Sequence, residues 1–350
     1  MRKTKTINVG IAGFGMSAKT FHLPFLILDS RFQVKKVFER RSHHAEQQFS
    51  GITSVQEFEA LLSDEIDLVV ITTPNQTHYD FCKRAILAGK HVIVEKPLTI
   101  YAQDASELAL LAKEKNVTLS VFQNRRWDNG ALTVKQLVKN QTLGDIVDYE
   151  IRYERFSQTL NRKQWKETGE FGTGLVYDLG VHLVDHVVDL FGIPTALYAD
   201  LRCQHEGGKA DDNFRITFYY ADKNVVMSAT KYAREAAPHI ILQGKSGSYI
   251  KPTLDNQESL LLAGVRPCDN WNQETETQWG TLHTEINGEI VRRKLESVRG
   301  NYQAYYDNIY QVLCENQELI VTPQQAITVL KLIELVYQSA KCGQKIEIIL

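Results

Sequence analysis

The feature that most constrains this chain is a short apolar run, Ile7 to Ala12 (INVGIA), that breaks into Gly13-Phe14-Gly15-Met16-Ser17-Ala18 and then into a helical segment. The pattern is G-x-G-x-x-A. The first glycine permits a tight turn, the second lets the backbone approach a pyrophosphate, and a small third residue lets helix and strand pack closely. The N-terminus of the following helix adds free N–H groups and the positive end of its dipole. A glycine turn alone is common. Here it stands between a strand and a helix, with more strand–helix alternation behind it.

That alternation fills the first third of the chain. Residues 33–38 (QVKKVF) read as a second strand, and 67–72 (DLVVIT) as a buried strand ended by Pro74. Residues 77–88 read as a helix with Gly89 at its C-cap. A strand over 91–94 ends at Pro97, a helix covers 102–115, and a strand covers 117–122. Ser54 and Glu57 match a capping box and predict a helix over 54–62. Strands alternating with helices of this length predict βαβ units and a parallel, doubly wound sheet. After about Asn124 the rhythm changes. A helix at 132–138 is followed by a long strand at 146–156, two strands across 213–232, and two more at 239–243 and 247–251. Successive strands without helices between them predict a mixed or antiparallel sheet with one exposed face. Helices near 302–314 and 323–339 and a short strand at 346–349 close the chain. Residues 253–300 are polar and carry no clear period.

The fold class is therefore α/β: an N-terminal Rossmann domain over 1–124, then an α+β domain over 125–350 with a large open mixed sheet. The C-terminal helix of the second domain is free to pack back on the first. A length of 350 residues suits two domains. The 40 basic and 42 acidic residues leave a net charge of −2, with no basic excess to point to nucleic acid. No run approaches the roughly 20 apolar residues of a membrane helix. The basic start, Met1 to Thr6, passes straight into the first strand and does not read as a signal peptide. Five scattered cysteines without a CxxC pair fit reduced thiols, and a cytoplasmic protein is expected.

The second strand of a dinucleotide fold ends with the residue that reads the adenosine ribose. Glu39, Arg40 and Arg41 stand there. An acid favours the free 2′-hydroxyl of NAD, and arginine favours the 2′-phosphate of NADP. Two adjacent guanidinium groups tip the reading to NADP, with NAD as the alternative.

Further motifs follow in order. Thr73-Pro74-Asn75 ends one strand, with His78 opening the next helix. Glu95-Lys96-Pro97 ends another. Then come Gln123-Asn124-Arg125-Arg126-Trp127-Asp128 and Gly172-Thr173-Gly174-Leu175-Val176-Tyr177-Asp178-Leu179-Gly180-Val181-His182. With the glycine turn, these resemble the glucose-fructose oxidoreductase / inositol dehydrogenase (Gfo/Idh/MocA) family over essentially the whole chain. QNRRWD, His22-Leu23-Pro24 and the 243–248 stretch (QGKSGS) resemble the branch that includes NADP-dependent scyllo-inositol dehydrogenases.

The resemblance implies an oxidoreductase that moves hydride between a nicotinamide cofactor and a secondary hydroxyl or ketone of a cyclic polyol or sugar. The cofactor would lie over the glycine turn (Gly13, Phe14, Gly15, Met16, Ser17), Arg40 and Arg41. It would also meet Thr73, Pro74, Asn75 and His78, and the Glu95, Lys96 and Pro97 motif. The family's catalytic lysine maps onto Lys96, and its aspartate and histidine map onto Asp178 and His182. Asn124, Arg125 and Arg126 join these three as substrate residues. Sheet faces in this family pair subunits, so a homodimer or homotetramer is expected.

The residues agree with that chemistry. Oxidising an alcohol removes its hydroxyl proton, and histidine suits a base near neutral pH. Asp178 and His182 are four apart on an expected helix and share one face. Lys96 follows a buried strand at the sheet edge where doubly wound folds bind ligands, and can stabilise alkoxide charge. Arg125 and Arg126 read equally well as ligand contacts or as hinge and interface charges. Asp185, His186 and Asp189 read as helix-surface or interface groups. His182 and His186 have a metal-like spacing, but without H-E-x-x-H or a third ligand no metal is expected. Tyr153 and the run Tyr302, Tyr305, Tyr306, Tyr310 read as packing, and Trp165 as a substrate-wall residue. Loops over 155–175 and 230–275 are expected to shape the pocket. The alternatives are a non-catalytic nucleotide-binding regulator and an NAD-dependent glycosidase of the same fold. Retention of Lys96, Asp178 and His182 favours the redox enzyme.

Overall fold

The computed structural model describes residues 5–160 and 164–350, so residues 161–163 of the expected pocket loop lie outside the described residues. The chain divides into two compact units. The first holds the described residues through Asn124 together with Gln257–Trp271 and Tyr302–Ile327. The second holds Arg125–Asn256, Asn272–Asn301 and Thr328–Leu350.

The first unit is built on six strands: β1 (Ile7–Ala12), β2 (Phe32–Phe38), β3 (Thr53–Val55), β4 (Leu68–Ile71), β5 (His91–Val94) and β6 (Leu119–Val121). Their order is β3-β2-β1-β4-β5-β6 and every pairing is parallel. The order reverses between β1 and β4, the point at which such sheets bind ligands beyond the carboxyl ends of the strands. Leu68 to Ile71, Val92 to Val94 and Leu119 to Val121 are all buried, as a parallel sheet covered on both faces requires.

The capping box at Ser54 proved misleading. Ser54 lies in β3, paired in register with Val37 of β2, and a short 3₁₀ turn follows at Phe58–Leu62. Strand pairing overrides the local helix signal here, and the Ser54 hydroxyl serves Glu39 instead of a helix end. The helix Gln303–Glu315 also belongs to this unit and inserts Tyr302, Tyr305, Tyr306 and Tyr310, all buried, as the packing reading expects. Tyr305 donates to Ser120 Oγ at 2.9 Å, and Ser120 donates to the Val321 carbonyl at 3.1 Å.

The second unit carries nine strands: β7 (Ile146–Glu154), β8 (Ala196–Arg202), β9 (Asn213–Tyr219), β10 (Asn224–Thr230), β11 (Ile240–Gly244), β12 (Gly247–Lys251), β13 (Gly280–Ile286), β14 (Glu289–Leu295) and β15 (Ile346–Glu347). They order as β14-β13-β12-β11-β7-β10-β9-β8-β15. β7 and β10 are parallel, and the other neighbours are antiparallel, so the sheet is mixed. Along β7, Tyr149, Ile151 and Tyr153 face the core, and Asp148, Glu150 and Arg152 take the opposite face. The helix Val181–Phe191 packs on the core side against β10.

Candidate functional site

In the first unit, the carboxyl ends of β1, β2, β4 and β5 bring the glycine turn, Arg40 and Arg41, Thr73 to Asn75, and Glu95 to Pro97 to one edge of the sheet. Gly13 adopts φ +106°, and a Cβ there would lie 2.9 Å from Thr72 Oγ1. Glycine is required at this turn for both reasons. A Cβ at Gly15 would meet nothing within 4 Å. Gly15 and Met16 are exposed at the start of a continuous helix over 16–28, so free N–H groups of the first turn face open space. The turn fits a pyrophosphate. Part of this helix, Ala18–His22, is π-wound, a local widening that no sequence signal announced.

At the end of β2 the structure separates the two charges that the sequence left side by side. Glu39 is buried, and four donors occupy its carboxylate. Ser42 Oγ (2.8 Å) and the His44 N–H (3.3 Å) reach Oε1. The Ala45 N–H (2.9 Å) and Ser54 Oγ (2.7 Å) reach Oε2. Burial opposes the charge, but these donors outweigh it and hold the carboxyl below the usual carboxylate range. Arg40 and Arg41 are exposed. The acid caps its own loop, and the arginines remain directed to solvent.

At the ends of β4 and β5, His78 is fully buried. Its Nδ1 lies 2.8 Å from the Pro97 carbonyl and its Nε2 lies 2.9 Å from the Thr73 carbonyl. Burial lowers its pKa. His78 thus braces the two strand ends that carry Thr73 and Lys96. Glu95 receives the Ser17 hydroxyl, His22 Nε2 at 3.1 Å, and the Lys96 N–H at 3.2 Å. Burial opposes its ionisation, but His22, Ser17 and the Lys96 charge outweigh it, so the carboxyl stays below its ordinary range. The contact of His22 with Glu95 was not visible in the sequence.

Asn124 closes the first unit and is buried. Arg125, Arg126, Asp178 and His182 belong to the second. Arg126 is buried, with Nε and Nη2 forking onto Asp185 at 2.7 and 2.6 Å and Nη1 3.3 Å from Asp189. The fork anchors the helix Val181–Phe191, whose first turn carries His182. Asp185 and His186 are buried within the unit and do not stand on a helix surface. The reason is pairing: Asp185 meets Arg126, and His186 Nε2 lies 2.8 Å from the Tyr149 hydroxyl, with burial pushing its pKa down to about 4. Truncating Arg126 leaves the Asp185 charge uncompensated, so Arg126→Ala should cost about 3–5 kcal/mol of stability, read as a large drop in Tm.

Asp178 lies in a π-turn, Val176–Gly180, that leads into the helix of His182. The two residues therefore do not share the simple α-helical register that their spacing suggested. π-turns of this kind recur at functional sites. Asp178 accepts a hydrogen bond from Lys166 Nζ at 2.6 Å. Lys166 is a site residue the sequence reading missed, since nothing in QWKE ties it to a position twelve residues on. Its ammonium also lies 5.6 Å from the Trp165 ring centroid. Arg125 stands over the Tyr153 ring at 5.1 Å and reaches Asp128 at 3.4 Å. Among the described residues, no group of three or more His, Cys, Asp or Glu side chains is placed to hold a metal ion, and no helix is long and apolar enough to cross a membrane.

This combination of a parallel dinucleotide sheet and a mixed-sheet second unit defines a class, and the comparisons with known proteins agree. The oxidoreductase-family model for the NAD-binding Rossmann fold matches residues 7–123, and that for the C-terminal α/β domain matches residues 135–348. The chain belongs to the Gfo/Idh/MocA oxidoreductase family, with an NAD(P)-binding Rossmann domain. It is 36% identical to scyllo-inositol 2-dehydrogenase (NADP(+)) of Bacillus subtilis, covering 97% of this chain and 95% of that protein. It is 38% identical to an uncharacterized oxidoreductase of Escherichia coli, covering 96% of each. The crystal structure of an oxidoreductase from Bacillus cereus covers 99% of both chains with a TM-score of 0.90 at 31% identity.

Proposed function

We propose that this protein is an NADP-preferring dehydrogenase acting on a secondary hydroxyl of a cyclic polyol or sugar, with scyllo-inositol the first substrate to try. The observation that carries the NADP reading is the Glu39 carboxylate, whose oxygens are taken by Ser42, His44, Ala45 and Ser54. An acid so engaged is not available to a ribose diol, while Arg40 and Arg41 are exposed beside it and suit a 2′-phosphate. The similarity to a Bacillus subtilis protein named for scyllo-inositol and NADP supports the same cofactor and the polyol class.

A bound pyridine nucleotide would supply two-electron exchange with the carbinol carbon. His182 takes the hydroxyl proton in oxidation and returns it in reduction. Lys96 holds the reacting oxygen and stabilises its developing negative charge. Asp178, paired with Lys166, binds a neighbouring hydroxyl and sets the orientation of the ring. Arg126 holds the His182 helix in place. The protein acts as a homodimer or homotetramer.

The test is steady-state turnover on a panel of cyclic polyols and sugars, each with NADP and NAD, read by the absorbance of the reduced nicotinamide. Turnover of scyllo-inositol or a close polyol with NADP is the expected result. Silence across the panel with nucleotide binding intact would favour the regulator instead.

A further inference from the structure

A buried polar chain runs beneath the phosphate turn, assembled from three distant parts of the first unit. His22 is 0% exposed and sits at the end of the π-wound Ala18–His22 segment. Tyr306, also 0% exposed, comes from the helix Gln303–Glu315 and places its hydroxyl 2.7 Å from His22 Nδ1. His22 Nε2 lies 3.1 Å from Glu95 Oε1. The same oxygen accepts the Ser17 hydroxyl, and the other oxygen accepts the Lys96 N–H at 3.2 Å.

A buried carboxylate is costly unless donors surround it, and apolar side chains would fill this space at lower cost. The position of the charge supplies the reason. Glu95 stands between the serine at the start of the first helix and the backbone of Lys96, so one carboxylate fixes both. Its own placement depends on His22 presenting an N–H. In a neutral ring that accepts the Tyr306 O–H at Nδ1, the proton sits on Nε2 and faces the carboxylate; the same hydroxyl lies 3.4 Å from the Phe21 carbonyl. Without that hydroxyl the ring loses the contact that fixes its orientation against Glu95.

We infer that His22 and Tyr306 are positioning residues that act through Glu95, setting the phosphate turn and the Lys96 backbone together. This rests on the nucleotide reading of the turn, and it assigns work to two residues that touch neither nucleotide nor substrate.

The test is NADPH affinity, read from nicotinamide fluorescence, with Tm measured in parallel on the full chain. Three variants are needed: His22→Leu, His22→Gln and Tyr306→Phe. His22→Leu fills the space without a donor and should weaken NADPH by about tenfold, the scale of one charge-assisted hydrogen bond. His22→Gln keeps an N–H donor and should recover most of that loss. Tyr306→Phe removes a single oxygen and should weaken binding in the same direction by a smaller factor. Equal losses in the leucine and glutamine variants would overturn the inference, because they would mark a packing role. So would wild-type affinity in Tyr306→Phe, which decides the matter even if His22→Leu does not fold. If the wild-type protein binds neither NADPH nor NADH, the nucleotide reading itself falls. Wild-type binding with unchanged variants defeats this inference alone.

Discussion

Replacing His182 with alanine is expected to lower kcat by about 10²–10⁴-fold while leaving nucleotide affinity unchanged. His182 is 7% exposed in the first turn of Val181–Phe191, after the π-turn that carries Asp178. Alanine is the best helix former, and the helix keeps its anchor in the Arg126–Asp185 fork, so the fold should survive. What is lost, on the proposed mechanism, is the group that accepts the hydroxyl proton. The loss should fall on kcat and on kcat/KM alike, because proton removal matters only in the transition state. Lysine is different in kind: it anchors charge, so rescue of His182→Ala by an added small base would mark His182 specifically. A variant with near-wild-type turnover would remove His182 from the mechanism.

The second large effect concerns the cofactor. The double variant Arg40→Ala, Arg41→Ala is expected to lower kcat/KM with NADP by about 10²–10⁴-fold, since each lost guanidinium–phosphate contact is worth about 1.5–3 kcal/mol. The same variant should leave kcat/KM with NAD nearly unchanged. A simple exchange of charges would have NAD gain, because removing arginines exposes the neighbouring acid. Here Glu39 is held by four donors from its own loop and from Ser54, and removing the arginines does not release it. A strong gain with NAD would show that the acid is free to turn, against this account. Steady-state kinetics with both nucleotides separates the two outcomes.

The parts of this molecule that were legible in the sequence are those encoded locally. INVGIA and the glycine turn announced β1 and the tight turn after it, and EKP placed Lys96 at the end of β5. Buried runs such as LVVI and HVIV identified parallel strands by having no polar face. The missed pieces depend on distant partners. β3 looked helical because a serine and a glutamate stood three apart, and only pairing with β2 decides otherwise. The hairpin of β13 and β14 carried its own signal, Asn287-Gly288 with both residues at positive φ, but its polar strands showed no clear period. The fate of Glu39 turns on Ser54, fifteen residues away. The His22–Tyr306 contact spans 284 residues. Lys166 reaches Asp178 through a loop with no period. The π-turns are single insertions into otherwise helical runs, and no residue type marks them. Spacing rules therefore placed Asp178 and His182 on one helical element and erred on their register.

The most direct test of the central claim is isotopic. The protein would be incubated with NADP and scyllo-inositol carrying deuterium at its ring carbons, and the nucleotide analysed by mass spectrometry. The account predicts NADPH bearing one deuterium, transferred from the carbinol carbon. Unreacted NADP, or NADPH without the label, would contradict it.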